Sequence, residues 1–244
     1  MADLYDSGIR PELDAYFISL ADSVRDYGDY WSASSAGYCM RLNMLRRLGV
    51  PPVNTDEVDV SRQQRVFETG HQFHEFYQKL TKKLGLSVEQ ESELQDEELM
   101  VRGHFDDLVR KNGHLILYDY KTVNSQSFKY KKDKMSHYHE MQLGTYLYML
   151  RKKYPELIEA RIMNISKDDQ RQSEMALIWN DMLENDVKNY WKELNDWWNK
   201  KEFPECTCDE EENGFMAKEK WNDYFYEDEP CSMEWYLKWK EENK

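Results

Sequence analysis

Residues 103–123 read GHFDDLVRKNGHLILYDYKTV, and this stretch decides the fold of the chain. Apolar and β-branched residues fill two segments, 99–109 and 115–123, which predicts two neighbouring strands. Turn-forming residues at 111–113 (KNG) separate them, as in a tight β-hairpin. The sequence therefore predicts an antiparallel pair at the centre of the domain.

The predicted hairpin carries a group of charged side chains near one end. Alternate side chains of a strand share a face, so Asp119 and Lys121 project to one side and Tyr120 to the other. Asp106, near the end of the first strand, faces this Asp-x-Lys. Carboxylates and a backbone carbonyl suit Mg²⁺ or Mn²⁺, and a nearby ammonium can orient a water molecule. These groups fit phosphodiester hydrolysis, although an Asp-x-Lys alone is typical of any solvated strand.

Periodicity elsewhere in the chain predicts helices around these strands. The predicted helices are 11–27, a short basic helix after the serine-rich segment within 32–49, 62–84, 136–153 and 181–201, and further strands are 87–94, 160–166 and 173–178. Strands enclosed by helices from both earlier and later sequence indicate an α/β fold with a central mixed β-sheet flanked by helices.

Composition limits the classes of function. The chain has 244 residues, a length that fits one principal domain. Its formal net charge of −14 argues against a protein that coats nucleic acid with a broad basic face. A local basic groove stays compatible with that charge. The apolar runs are too short to span a bilayer and the first residues are too acidic for a signal peptide, so we expect a soluble, cytoplasmic protein.

Four short motifs follow one another in a fixed order: GHQFHE at 70–75, GHFD at 103–106, DYK at 119–121 and QLGTY at 142–146. This set resembles the RecB-like branch of the PD-(D/E)XK nuclease superfamily, including CRISPR-associated and phage-encoded exonucleases. In that branch the motifs are G-x-x-x-H-E, G-x-x-D, D/E-x-K and Q-x-x-x-Y. The resemblance covers most of residues 32–180 and implies a restriction-endonuclease-like core.

The resemblance also implies the roles of individual residues. The catalytic set would comprise Asp106, Asp119, Lys121, Gln142 and Tyr146. The ligands of Mg²⁺ or Mn²⁺ would be His74, Asp106, Asp119 and the carbonyl oxygen of Tyr120. Gln142 and Tyr146 would contact the DNA or its scissile phosphate. His71 and Asp107 compete with His74 and Asp106 as ligands, but their positions do not fit the motifs, and strand alternation would turn Asp107 away.

The four cysteines carry a second resemblance. Iron–sulfur members of this branch have one Cys before the nuclease core, followed by Arg two positions on, and three near the C-terminus. Cys39 and Arg41 fit the first part, and Cys206, Cys208 and Cys231 give the count. The C-x-C spacing departs from the usual C-x-x-C. A 4Fe–4S cluster is the favoured interpretation, with zinc and scattered thiols as alternatives.

The segment 121–134 (KTVNSQSFKYKKDK) directly follows the predicted catalytic strand and is rich in lysine. We interpret it as a loop that guides a DNA strand by phosphate contacts and base stacking, with a simple solvated loop as the alternative. The predicted DNA-binding residues are Arg41, Lys129, Lys131 and Lys132.

These observations predict a domain plan and a function. Residues 1–31 would form a helical extension, 32–201 the nuclease core, and 202–244 an acidic segment whose three cysteines pack back on the Cys39 region. The expected function is a metal-dependent DNA exonuclease of recombination, replication or CRISPR-type processing. Its expected partners are DNA, single-stranded or with free ends, and a recombination or CRISPR protein, in the cytoplasm of a bacterial or phage-infected cell. A catalytically weak DNA-end-binding subunit and an endonuclease of the same fold are the alternatives.

Overall fold

The computed structural model describes residues 9–21, 28–53, 60–131, 133–208, 222 and 224–243. Its elements are α1 (Arg10–Ala21), β1 (Trp31–Ser32), a 3-10 turn (Ala33–Ser35), α2 (Met40–Arg47), α3 (Val60–Lys83), β2 (Ser87–Gln90), β3 (Glu93–Asp96), β4 (Val101–His104), β5 (Asp107–Lys111), β6 (His114–Val123), α4 (Ser125–Lys131), α5 (His137–Arg151), β7 (Glu159–Ser166), β8 (Gln172–Ile178), α6 (Asp181–Lys200) and α7 (Met233–Glu242).

A five-stranded mixed sheet in the order β2-β5-β6-β7-β8 forms the centre of the fold. Within this sheet, as the described residues form it, β6 and β7 are the one parallel pair, and α4 and α5 make the long crossover that parallel neighbours require. The ring of Tyr120 stacks on Tyr77 of α3 at 5.7 Å, whereas Asp119 contacts Gln142 of α5. The two helices therefore cover opposite faces of β6, and the predicted α/β fold with a flanked mixed sheet is confirmed.

The predicted hairpin is present as β5 and β6, with Lys111 paired to His114. Asn112 and Gly113 between them both have positive φ, 52° and 85°, as a two-residue hairpin turn of type I′ requires. The sequence predicted one strand here where the structure has two. The predicted strand 99–109 is in fact β4 and β5, which belong to different sheets, and the chain changes sheet at Phe105 and Asp106.

The predicted strand 87–94 is divided in the same way. Its halves are β2, in the five-stranded sheet, and β3, which joins β1 and β4 in a three-stranded sheet. Glu91 lies at the break with a φ of 49°, and its amide donates to the carbonyl of Asp106. The two points at which the chain passes between the sheets are thus hydrogen-bonded to each other, which places Asp106 at the junction of the two sheets.

Helix α5 is the most deeply enclosed helix of the described chain, because every residue from Met141 to Leu150 is buried. It packs against β7 and β8 on one side and against α6 on another. Gly144 permits the close approach of α6, since a Cβ there would lie 2.9 Å from Leu183 and from Val187 side-chain atoms. This packing fixes the helix that carries Gln142 and Tyr146.

Several local predictions were wrong. Segment 121–134 contains helix α4 rather than a loop, because Phe128 is buried and Asn124 and Asp168 accept hydrogen bonds from the first amides of the helix. The serine-rich segment forms the 3-10 turn, and the short basic helix that follows it is α2, with Cys39 at its N-cap. Helix α7 was not predicted.

Predicted helix 11–27 corresponds to α1, and residues 22–27 lie outside the described part. Among the described helices, none is long and apolar enough to cross a membrane.

Candidate active site

Asp106 lies in the connection between β4 and β5 and is held by the neighbouring strand. Its Oδ2 accepts a hydrogen bond of 2.7 Å from the backbone amide of Tyr120 on β6. The same oxygen lies 3.3 Å from Nδ1 of His74, which projects from α3. Burial lowers the pKa of His74, but the hydrogen bond and charge of Asp106, with the charge of Asp119, outweigh it and raise the pKa. The predicted pair of ligands is therefore assembled at the sheet end.

Asp119 and Lys121 share a face of β6, as predicted from strand alternation. Lys121 Nζ donates to Asp119 Oδ1 at 3.1 Å. Burial and the charge of Asp106 raise the pKa of Asp119, with Lys121 opposing them. Burial lowers the pKa of Lys121, but the charges of Asp119 and Asp106 raise it by more, so the ammonium stays charged. The site thus holds two carboxylates against one fixed cation.

A divalent cation fits the donor set of this site. Asp119 Oδ2 is buried without a hydrogen-bond partner in the described chain, although Lys121 Nζ lies 2.9 Å away in an ionic contact. The ammonium compensates this buried oxygen by charge, and its lone pairs, which accept no hydrogen bond, suit coordination of a cation. Oxygen ligands from Asp106 and Asp119, with the carbonyl of Tyr120 and the ring of His74, suit Mg²⁺ or Mn²⁺.

The two residues of the Q-x-x-x-Y motif occupy different environments. Gln142 Nε2 donates to Asp119 Oδ1 at 3.4 Å, so the amide lies beside the carboxylate. Tyr146 is only 3% exposed and belongs to the main hydrophobic core. A Cβ on Gly103 would come within 3.0 Å of its ring and hydroxyl. Tyr146 thus packs against β4, and its DNA contact and catalytic role stay predictions.

His71 and Asp107, the alternatives to His74 and Asp106 as metal ligands, lie outside this group of residues. The side chain of His71 is 66% exposed and pairs with Glu68 at 3.4 Å on the surface of α3. Asp107 is fully buried on the α3 side of the sheet, where Ser87 and Tyr120 donate to it at 2.7 and 3.2 Å. The motif assignment and the strand alternation that favoured His74 and Asp106 agree with these positions.

The predicted DNA-binding residues lie on different helices, Lys129 and Lys131 on α4 and Arg41 on α2. Lys129 and Lys131 are exposed on α4, next to Tyr130, which is 82% exposed. Lys132 lies outside the described residues. The side chain of Arg41 is largely buried: Nε donates to the Pro204 carbonyl at 2.8 Å, and Glu229 lies 3.6 Å away. Arg41 thus ties the C-terminal segment to α2, and a DNA contact by this residue stays a prediction.

The four cysteines converge in a second site. The Sγ atoms of Cys39, Cys206, Cys208 and Cys231 all lie within 4.8 Å of one another, and no two form a disulfide. Hydrogen bonds with the other three thiols, of which that with Cys206 has the largest effect, lower the pKa of Cys39.

This sulfur set fits a thiolate-bound metal centre. Separations of 3.4 Å (Cys208–Cys231) and 3.9 Å (Cys39–Cys206) resemble the ~3.8 Å expected for thiolates ~2.3 Å from one tetrahedral ion. A cubane cluster, in which each thiolate binds a different iron, requires the sulfurs to move apart.

Comparison with known families decides the class of protein. The sequence model of the PD-(D/E)XK nuclease superfamily matches residues 41–213. The chain belongs to the PD-(D/E)XK nuclease superfamily. All four motifs, from Gly70 to Tyr146, lie within the matched region of this nuclease. No curated protein sequence matches the chain.

Solved structures of other proteins are similar to this nuclease. The crystal structure of SSO0001 is similar with a TM-score of 0.51 and 16% identity, over 80% of this chain and 89% of that one. LHK-Exo in complex with dAMP has a TM-score of 0.43 and 14% identity, over 77% and 97% of the two chains. A candidate exonuclease from Eubacterium rectale has a TM-score of 0.33 and 10% identity, over 83% and 70%. At these identities the likeness to SSO0001 shows the fold alone.

Sequence reasoning missed a residue of the thiolate site. Asn222 is buried, and its Nδ2 lies 3.4 Å from Cys231 Sγ and 3.6 Å from Cys208 Sγ. An amide that donates to thiolates helps to orient and tune a metal centre. Asn222 lies in an acidic segment with no local pattern, so only the fold reveals its position in this nuclease.

Proposed function

We propose that this nuclease is a Mg²⁺- or Mn²⁺-dependent DNA exonuclease. The observation that carries the proposal is the convergence of His74, Asp106, Asp119 and Lys121 at one end of the β5–β6 hairpin, with a buried carboxylate oxygen that lacks a hydrogen bond. A catalytically weak DNA-binding subunit would not need all four groups.

The residues of the site divide the work of phosphodiester hydrolysis. Asp106, Asp119, His74 and the Tyr120 carbonyl would hold the cation, which when bound offsets negative charge on the phosphate and lowers the pKa of a water molecule. Lys121, fixed by its contact with Asp119, presents an ammonium that orients the attacking water or stabilises charge on the phosphate. Gln142 holds Asp119 from the α5 side.

The substrate proposal rests on charge placement. With a net charge of −14, most of the surface repels a phosphate backbone. Helix α4 begins two residues after β6 and exposes Lys129, Tyr130 and Lys131. These side chains offer phosphate contacts and a stacking surface to a strand that enters the site, which favours single strands or free ends. A role in recombination, replication or CRISPR-type processing, with a protein partner from that process, follows from the resemblance.

The four-cysteine site is proposed to bind one structural metal centre. A 4Fe–4S cluster is the centre that the resemblance implies, and a single zinc ion is the alternative. Either would fasten Cys206, Cys208 and Cys231 to Cys39 at the start of α2. Beyond the other end of α2, Tyr224 donates to the Val50 carbonyl at 3.0 Å and Trp235 to the Pro51 carbonyl at 2.8 Å. Crosslinking residues so distant in sequence stabilises the fold by restricting the unfolded chain.

A substrate comparison tests the proposed activity. Purified protein is incubated with linear and with covalently closed circular single-stranded DNA of the same sequence, in Mg²⁺, Mn²⁺ or EDTA. We expect the linear DNA to be degraded much faster, and only with the metals. Equal rates on both forms would indicate an endonuclease. Tight binding of DNA ends without cleavage in either metal would indicate the binding subunit.

A further inference from the structure

Two tyrosines that no motif contains lie near the proposed active site, because Tyr138 is one helical turn before Gln142 on α5 and Gln142 donates to Asp119. Tyr38 precedes α2 and Tyr138 lies in the first turn of α5, and their rings stack with centres 5.3 Å apart and planes 24° from parallel. Both are partly exposed. Segments far apart in sequence therefore build one aromatic surface.

The backbone fixes this pair in place. Gly37 has a φ of 76°, and a Cβ there would lie 3.0 Å from the Tyr138 Cα and from the Met141 side chain, so only glycine allows the close approach to α5. Tyr190 donates its hydroxyl hydrogen to the Tyr38 carbonyl at 2.8 Å. The stack is thus held by a close backbone approach at Tyr138 and by a hydrogen bond at Tyr38.

Cationic and neutral polar groups surround the stack. The Arg46 guanidinium lies 5.9 Å from the centre of the Tyr38 ring, and the His139 ring lies 4.1 Å from that of Tyr138. Burial raises the pKa of Tyr38, and the charges of Arg46 and Lys121 oppose it. Burial with the charges of Lys121 and Lys131 lowers the pKa of His139 to about 3, so its imidazole is neutral.

We infer that Tyr38 and Tyr138 bind an unpaired nucleobase of the DNA strand whose phosphate lies at Lys121. The inference rests on the proposed function. Aromatic rings stack on any base, and a guanidinium beside them contacts the adjoining phosphate, so the site recognises single-stranded DNA without reading its sequence. A base paired within a duplex does not expose its face to such a surface.

An abasic scan tests the inference. A fluorescein-labelled oligothymidylate carries one abasic residue that is moved along the strand, and its Kd is measured in EDTA, where no cleavage is needed. For the wild-type protein we expect the abasic residue to weaken binding about tenfold at one position and little elsewhere. Tyr138→Leu, which removes the ring but keeps an apolar side chain, should bind the intact strand about tenfold more weakly and lose the position dependence. Tyr138→Phe should behave as wild type.

Tyr16→Ala is the control, because Tyr16 is 58% exposed on α1, outside the site. Uniform wild-type Kd values along the strand would overturn the inference even if every variant failed to fold. Retained position dependence in folded Tyr138→Leu would overturn it as well. Position-dependent binding by a protein that cleaves no DNA in Mg²⁺ or Mn²⁺ would support the nucleobase site and contradict the nuclease proposal. Cleavage without position dependence would do the reverse.

Discussion

Lys121 Nζ lies 2.9 Å from Asp119 Oδ2 and donates to Asp119 Oδ1 at 3.1 Å. The two residues are separated by Tyr120, whose ring lies on the other face of β6 against Tyr77. The ammonium offsets part of the carboxylate charge at the site, but Asp119 Oδ2 still lacks a hydrogen bond. In the proposed mechanism the same lysine both offsets the carboxylate charge and orients the attacking water.

Replacing this lysine separates its two roles. Lys121→Met should lower kcat about 100-fold or more, because a positioned acid–base group contributes that much to the chemical step. In EDTA it should also lower the free energy of unfolding by about 2 kcal/mol, since Asp119 is left without its counter-charge. Saturating Mn²⁺ should restore part of that stability in the variant. Normal cleavage by folded Lys121→Met would remove Lys121 from the mechanism.

The two motif glycines should respond differently to alanine. A Cβ on Gly103 would lie 2.8 Å from Ala33 Cβ and 3.0 Å from Tyr146, so Gly103→Ala should cost about 1–3 kcal/mol of stability. Gly70 lies inside α3 and a Cβ there meets only Thr122 Oγ1 at 3.4 Å. Gly70→Ala should leave stability unchanged or raise it by up to about 1 kcal/mol. Urea denaturation measures both, and equal midpoints for the two variants would contradict the packing described at β4.

Salt dependence distinguishes the α4 lysines from Arg41. Lys129→Ala and Lys131→Ala should each reduce the slope of log K against log salt for single-stranded DNA by about 0.7, the change for one lost phosphate contact. Arg41→Ala should leave that slope unchanged and lower the thermal midpoint, because Arg41 holds Pro204 and Glu229. If Arg41→Ala flattened the slope as Lys131→Ala does, Arg41 would belong to the DNA surface after all.

The thiolate centre makes a chemical prediction. Anaerobically purified protein should be brown and contain about four irons per chain if the centre is a cubane, or be colourless with one zinc ion in the alternative. Cys231→Ala should lose the metal and lower the thermal midpoint. Asn222→Ala should keep the metal but bind it about 10–100-fold more weakly in chelator competition, as loss of a supporting hydrogen bond does. Protein free of both elements would rule out a metal clamp.

The sequence predicted the site better than the surroundings of the site. Asp119, Tyr120 and Lys121 could be placed because strand alternation is a local property of the backbone. Helices α3, α5 and α6 followed from periodicity for the same reason. The His74–Asp106 contact depended on family resemblance, because no local pattern brings a helix to a strand end.

What the sequence did not predict depends on tertiary structure. The breaks at Glu91 and Asp106 arise because neighbouring strands join different sheets, and nothing in their composition signals this. Helix α4 depends on burial of Phe128 and on capping by Asp168 from a distant turn. Arg41 was assigned to DNA by its charge, and its partners lie more than 160 positions away in sequence. Pairings at such distances require the folded chain.

The most direct test compares two adjacent aspartates, of which Asp106 belongs to the proposed active site and Asp107 does not. Asp106 contacts His74 and the Tyr120 amide in the site, whereas Asp107 is buried with Ser87 on the α3 side. The single-turnover rate on linear DNA is measured in Mn²⁺ for Asp106→Asn and Asp107→Asn at equal concentrations of folded protein. The proposed active site predicts a loss of about 100-fold or more in Asp106→Asn and a rate within a few fold of wild type in Asp107→Asn. A folded Asp106→Asn that cleaves at the wild-type rate would contradict it.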